Sequence, residues 1–482
     1  MRKRASWPTH AVLIFGVLLR LGLALATPPE RAYDNHFEPV EVMLEKGRLP
    51  DAADCWECYQ PPAYYVVSAA GWLVARQIPG LAGETPEELE HLGRRTQQFI
   101  SMLAGCATLY VCLGIYRRFR RLAAYEALGM ALIALLPRHI YMSAMATNDA
   151  FTYLVASVAI YALLRVQAAG WLTRGCLIAG GLAGLTVLSK GYGWMTVMAA
   201  WMAVWLFTRT AEQGLERWRR ELKRPLILVV SATLLVGIWP TVRNLWIFDQ
   251  FQVDNFELQD SPMRFLPPGS VRETSFFSLR PRALLARPWV HVSHMDSVWT
   301  ALYGRLWFDY EGFNTTQSGY PPWDALWERC REEYPIWNRA RWEMLLDYSE
   351  AEMPPAFRRV AVVSLVAGLP LTLAVLAGSV LAIRRLHYSF ALTLLWLHFF
   401  GTLFVPIFQT LRLPHFAAMK AAFMLCGLSS APVLSAWLLW SVRGRVTHVI
   451  IYTLMIAGLV TLAVADAALV VLQFKHFAVP VG

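Results

Sequence analysis

The chain has 482 residues, 56% of them hydrophobic and only 16% charged, against about a quarter charged in a soluble globular protein. Uninterrupted apolar runs recur along its whole length, which excludes a water-soluble fold and the period-two alternation of a transmembrane β-barrel. The formal net charge of +10 does not mark a nucleic-acid binder: the Lys and Arg residues sit in short loops between apolar runs, where they set topology, and no zinc-finger, homeodomain or RNA-recognition pattern accompanies them.

The first element is an apolar run ending near Ala26, behind Met1-Arg2-Lys3-Arg4. Ala24-Leu25-Ala26 resembles a signal-peptide end, but the run is expected to be a retained first helix. Arg20 within it is expected to face the protein, because a lipid-facing Arg is costly. Residues 28–95 are polar and rich in Pro, Asp and Glu. Their one apolar piece, Ala63 to Val74, is expected to be an interfacial or re-entrant helix rather than a span. Further spans are expected near 97–116, 122–141, 149–165, 174–190, 192–208, 226–245, 359–382, 388–408, 413–440 and 447–472, giving about eleven transmembrane helices in one domain covering residues 1–482.

The loops support this count. With the N-terminus cytoplasmic, the inner loops carry Arg117, Arg118, Arg120 and Arg121, then Arg165 and Arg174. Next come Arg217, Arg219, Arg220, Lys223 and Arg224, then Arg384 and Arg385, then Arg443 and Arg445. Each is basic, as the positive-inside rule requires, and counting 63–77 as a span would put the later clusters outside. Residues 28–95 and 246–358 then face outward, as does the C-terminus. No internal or inverted repeat is evident.

The candidate chemistry lies at the outer helix ends. Asp34 follows the first helix, and Asn148-Asp149 follows Pro137-Arg138-His139-Ile140-Tyr141. A lone Asp at such a place is ordinarily a helix cap, but two acids at neighbouring ends can flank one substrate. Lys190, Arg243, Arg412, His415 and Lys420 recur at the same depth. Snorkelling explains each singly; together they suggest an anionic group, and a lipid phosphate is the natural one. His36, Tyr64, Arg138 and Asn148 are the expected cavity walls. Cys55-Trp56-Glu57-Cys58 leaves three readings open: a disulfide, free thiols, or part of a metal site with His36, for which four ligands are not in evidence.

The order of motifs resembles the GT-C glycosyltransferases, particularly the glycosyltransferase family 39 group, which includes protein O-mannosyltransferases and aminoarabinose lipid A transferases. Asp34, Gly47-Arg48-Leu49-Pro50, Gln60-Pro61-Pro62-Ala63-Tyr64-Tyr65, Asn148-Asp149, Leu188-Ser189-Lys190, Trp239 to Asn244 and Tyr303-Gly304-Arg305-Leu306-Trp307 carry the resemblance. It covers most of residues 1–310 and, weakly, 405–432. Asn35 stands where many relatives have a second acid. The resemblance implies an all-α polytopic GT-C fold with outer juxtamembrane helices and a large outer loop. It also implies an inverting enzyme that moves a sugar from a polyprenyl phosphate to a hydroxyl of a glycan, lipid or protein. Asp34 would be the general base, with Asp149 the alternative for the catalytic role. The cations would hold the leaving phosphate, and a divalent cation is the one cofactor considered. The expected setting is a bacterial inner membrane with a periplasmic site. Three rivals remain: a catalytically degenerate accessory subunit, a lipid or solute transporter, and a ligase using a diphosphate donor.

Overall fold

The computed structural model describes residues 6–31, 35–80, 85–209, 223–251, 253, 271, 273–291, 293–309, 354–412 and 419–477. Every regular element among them is helical. The first half holds α1 (Trp7–Ala26), α2 (Glu38–Lys46), α3 (Ala63–Ala75), α4 (Pro86–Tyr116), α5 (Glu126–Ala134), α6 (Pro137–Ala144), α7 (Asn148–Ala168), α8 (Thr173–Ser189) and α9 (Trp194–Arg209). The second holds α10 (Lys223–Gly237), α11 (Trp239–Phe248), α12 (Pro281–Ala286), α13 (Val298–Trp307), α14 (Pro355–Ala382), α15 (Phe390–Arg412), α16 (Ala431–Ser441) and α17 (Val446–Phe477), with a 3-10 segment, Ala421–Ser430, leading into α16.

Among the described residues, 7 helices are long and apolar enough to cross a membrane, or 9 if each of two bent pairs is one span. The chain is a multi-pass membrane protein. Its expected runs all carry helix, but several are not simple spans. The run at 122–141 is broken between α5 and α6 by 52°, and that at 226–245 between α10 and α11 by 55°. Pro137 and Pro240 stand in the first turn after each break. A proline cannot continue the preceding helix, because it lacks the N–H and its ring meets the turn before it. Helices α8 and α9 have 17 and 16 residues, under the usual 20 or so for a span. Residues 413–418 of the expected penultimate span lie outside the described residues.

Helix α4 starts at Pro86, well ahead of the expected 97, so the first large loop closes at Thr85. Its start is a capping box: Glu88 N–H donates to Thr85 Oγ1 at 3.2 Å, and Thr85 N–H donates to Glu88 Oε2 at 3.1 Å. Helix α3 is 13 residues long, about 20 Å, too short for a hydrocarbon core of about 30 Å.

The helices pack through small residues where backbones approach. A Cβ on Gly184 of α8 would stand 2.6 Å from Thr233 O of α10, and one on Gly237 would stand 2.7 Å from Gly184 O, the small-residue contact common between membrane helices. Arg20 is fully buried, as expected. It donates to Gly16 O at 2.7 Å and Ala134 O at 2.9 Å, and pairs with His139. Those bonds replace the water that the guanidinium would lose in lipid. At one end of the bundle Arg118 donates to Leu164 O, Arg224 donates to Thr173 Oγ1 at 2.6 Å, and Tyr125 meets His448 at 2.9 Å. Toward the other, Ser101 of α4 donates to Thr147 O at 2.8 Å just ahead of α7, and Lys190 at the end of α8 reaches Asn148 and Asp149.

Candidate active site

The site grows from two helix termini. Thr147 caps α7, its Oγ1 accepting from Asp149 N–H at 3.3 Å. Asn148 and Asp149 thus occupy the first turn, where exposed N–H groups and the helix dipole favour negative charge. Opposite, α8 ends at Ser189 and Lys190 is extended before the tight turn Gly191–Gly193. Gly193 is obligatory there, since a Cβ would lie 2.1 Å from Thr186 O. The turn carries Lys190 Nζ to 2.7 Å from Asn148 Oδ1 and 2.8 Å from Asp149 Oδ1. Tyr192 OH donates to the same Asp149 oxygen, and Thr147 Oγ1 donates to Asp149 Oδ2 at 3.1 Å. A buried ion pair holds when its remaining lone pairs are met, and these two donors meet them.

The first loop closes over this pair. His36 Nδ1 lies 3.0 Å from Tyr65 OH and 4.0 Å from Glu57 Oε2, and His36 Nε2 lies 3.4 Å from Thr147 Oγ1. Gln60 bridges Glu57 and Asn148. Cys55 and Cys58 form a disulfide, which settles the three readings of that pair. Tyr64, fully buried, donates to Gln97 O at 3.3 Å and packs behind the site rather than lining it.

The Gly47-Arg48-Leu49-Pro50 turn is a clamp. Gly47 ends α2 at φ +61°, a left-handed conformation that glycine adopts without steric cost. Arg48 then donates to both oxygens of Asp54, with Lys46 and the Asp51 N–H joining it. Burial alone would raise the Asp54 carboxyl. The hydrogen bonds from Lys46, Arg48 and Asp51 outweigh it and hold the group well below the usual carboxylate range. A depressed folded pKa gives stability that is complete above the unfolded value of about 3.9 and is lost as pH falls through the folded value. The clamp should therefore be indifferent to pH from 5 to 7 and weaken only in stronger acid. Acid titration of the melting temperature checks this, with Asp54→Asn expected to flatten the acid limb and to lower stability at neutral pH.

A cavity of about 550 Å³ opens on the pair, within the range of ligand pockets. Arg138, Lys190, Arg412 and Lys420 line it, with Asp149 the one carboxylate among its described lining residues. Val187, Trp194, Met195, Phe404, Phe408 and Phe423 make apolar walls. Lys420 is placed by Arg305, which is buried and donates to Met419 O at 2.9 Å. Of the expected wall residues, Arg138 lines the cavity, while Asn148 and His36 stand behind Lys190 and Asp149. Arg243 is not brought in: it pairs with Asp51 at 3.0 Å, and Thr241 and Asn244 line the cavity instead. Asp34 and His415 lie outside the described residues. Sequence reasoning missed Tyr192, Thr147, Glu57 and Gln409; Gln60, singled out there only as the start of the Gln-Pro-Pro motif, lines the cavity with Tyr192 and Gln409. Only Tyr192 carried a signal, its flanking glycines.

A larger cavity, about 620 Å³, lies between α13, α14 and α15. Leu132, Trp299, Tyr303, Leu369 and Phe399 are among its walls, and no charged residue lines it. The smaller cavity is the candidate site because it holds the charges. Among the described residues no three His, Cys, Asp or Glu side chains converge as metal ligands. Asp149 is engaged by Lys190 and Tyr192, so the described residues do not fit a divalent cation.

No family model matches the sequence, and no curated protein matches it. Solved structures do. The Archaeoglobus fulgidus oligosaccharyltransferase in complex with Zn and sulfate is 16% identical, with 95% of this chain and 53% of that one covered and a TM-score of 0.48. The oligosaccharyltransferase AglB from Archaeoglobus fulgidus, with an inhibitory peptide and a dolichol-phosphate, gives 14%, 97%, 56% and 0.46. ArnT from Cupriavidus metallidurans bound to undecaprenyl phosphate gives 15%, 89%, 77% and 0.36. The chain spans about half the length of the archaeal oligosaccharyltransferases it matches.

Proposed function

We propose that the chain is an inverting glycosyltransferase that moves a sugar from a polyprenyl phosphate to a hydroxyl of a glycan, lipid or protein, the mechanism being the same for each. The observation that carries this is the charge of the cavity: four cationic side chains face one carboxylate, above apolar walls. That is the complement of a phosphate on a hydrocarbon chain. Charges kept at membrane depth mark function by default.

In this reading Lys190, Arg412, Lys420 and Arg138 receive the charge that develops on the leaving phosphate. Asp34 takes the acceptor proton as the hydroxyl oxygen attacks the anomeric carbon and the phosphate departs from the opposite face. His36, two residues on, is anchored to Thr147 and Tyr65. Asp149, engaged by Lys190 and Tyr192, orients the donor rather than accepting a proton. Arg243 acts at a distance, tying α11 to the first loop through Asp51. The site faces the outer side of a bacterial inner membrane in this account.

The test is transfer by the purified chain from a radiolabelled undecaprenyl-phosphate sugar to hydroxyl acceptors. Release of undecaprenyl phosphate with an inverted glycosidic product supports the reading. Donor binding without release from any sugar donor favours the accessory-subunit alternative. Solute flux in sealed vesicles without sugar transfer favours a transporter.

A further inference from the structure

The polar groups around Lys190 include two side-chain amides, and what stands at either end fixes their direction. Glu57, 2% exposed, accepts hydrogen bonds when ionised and donates none; an ammonium donates and accepts none. Between Glu57 and Lys190 run three bonds. Gln60 Nε2 donates to Glu57 Oε2, Asn148 Nδ2 donates to Gln60 Oε1, and Lys190 Nζ donates to Asn148 Oδ1 at 2.7 Å. An acceptor at one end and a donor at the other leave each amide one orientation, with its NH₂ toward Glu57 and its oxygen toward Lys190. Gln60 and Asn148 are buried too, so a reversed amide would leave groups unsatisfied at a cost. Glu57 sits inside the Cys55–Cys58 bridge, and its carbonyl accepts from Gln60 N–H at 3.2 Å. The bridged turn thus carries the carboxylate and the first amide as one unit. Glu57 itself does not line the cavity.

We propose that Glu57 is a positioning residue that, through Gln60 and Asn148, aims the Lys190 ammonium at the donor phosphate. The inference rests on the reading of Lys190 as a phosphate ligand. Its direction makes it testable, because the two ends of the first link can be exchanged. Gln60→Glu sets two buried carboxylates against each other. Glu57→Gln alone still presents an amide oxygen to Gln60. In the double variant Glu57→Gln/Gln60→Glu the new amide donates to the new carboxylate, which still accepts from Asn148, so the link to Lys190 is restored.

The experiment measures undecaprenyl phosphate affinity and ligand-free melting temperature for the full chain in detergent, in wild type and the three variants. Gln60→Glu is expected to weaken affinity about tenfold or more, Glu57→Gln about two- to threefold, and the double variant to recover to the level of Glu57→Gln. Wild-type affinity in folded Gln60→Glu, or a double variant no better than Gln60→Glu, would overturn the proposal. Failure of the wild type to bind undecaprenyl phosphate would instead sink the functional reading. The hydrogen-bonded link itself is then read from melting temperatures: recovery in the double variant sustains the link, no recovery overturns it, and the aim at a phosphate falls with the functional reading.

Discussion

Lys190→Ala is expected to lower sugar transfer by about 10²–10³-fold, the usual loss when one preplaced stabiliser of a leaving oxyanion is removed. The ammonium is held between Asn148 Oδ1 and Asp149 Oδ1. Truncation leaves Asp149 with donors from Tyr192 and Thr147, so the carboxylate is not stranded and the fold should persist. Lys190→Arg should not restore activity, because a planar guanidinium cannot occupy the space of a compact ammonium between those two oxygens. Single-turnover rates and donor affinity, measured together, check this. Turnover within a few-fold of wild type in folded Lys190→Ala would remove Lys190 from the site.

Asp34→Asn is expected to lower transfer by about 10²–10⁴-fold, the range for loss of a general base, with donor affinity unchanged. The substitution nearly preserves shape. Asp149→Asn should behave differently. It breaks the ion pair with Lys190, at 2.8 Å, and leaves the ammonium without its carboxylate, so donor affinity should fall along with rate. The contrast separates proton transfer from positioning. A rate loss confined to Asp149→Asn, with Asp34→Asn near normal, would exchange the two roles.

Much of this site was legible because its charges stand at helix ends. Asp149 and Lys190 each end an apolar run, and charges at the same depth on neighbouring helices have few places to go but toward each other. Arg20 was legible for the same reason of cost. Arg243 was not: its partner Asp51 is distant in sequence, and nothing local announces the pair. Glu57 was hidden in a polar loop where charge is unremarkable; Gln60 stood out as the start of a motif, but only the folded turn reveals the direction of their bond. The start of α4 was missed because its first turns are polar, although Thr85-Pro86-Glu87-Glu88 carries a capping box that apolar runs cannot register. The two bends escaped for a related reason. Averaging hydropathy across Pro137 or Pro240 sees a continuous apolar run where the backbone must break.

The central claim is that the charged cavity holds the donor phosphate. A structure of the chain with undecaprenyl phosphate tests it most directly. The account predicts a phosphate within roughly 4 Å of both Lys190 Nζ and the Arg412 guanidinium, the ordinary ion-pair distance, with the hydrocarbon chain running along Phe404 and Phe408. A headgroup seated in the uncharged cavity between α13, α14 and α15, or anywhere beyond reach of Lys190, would contradict it.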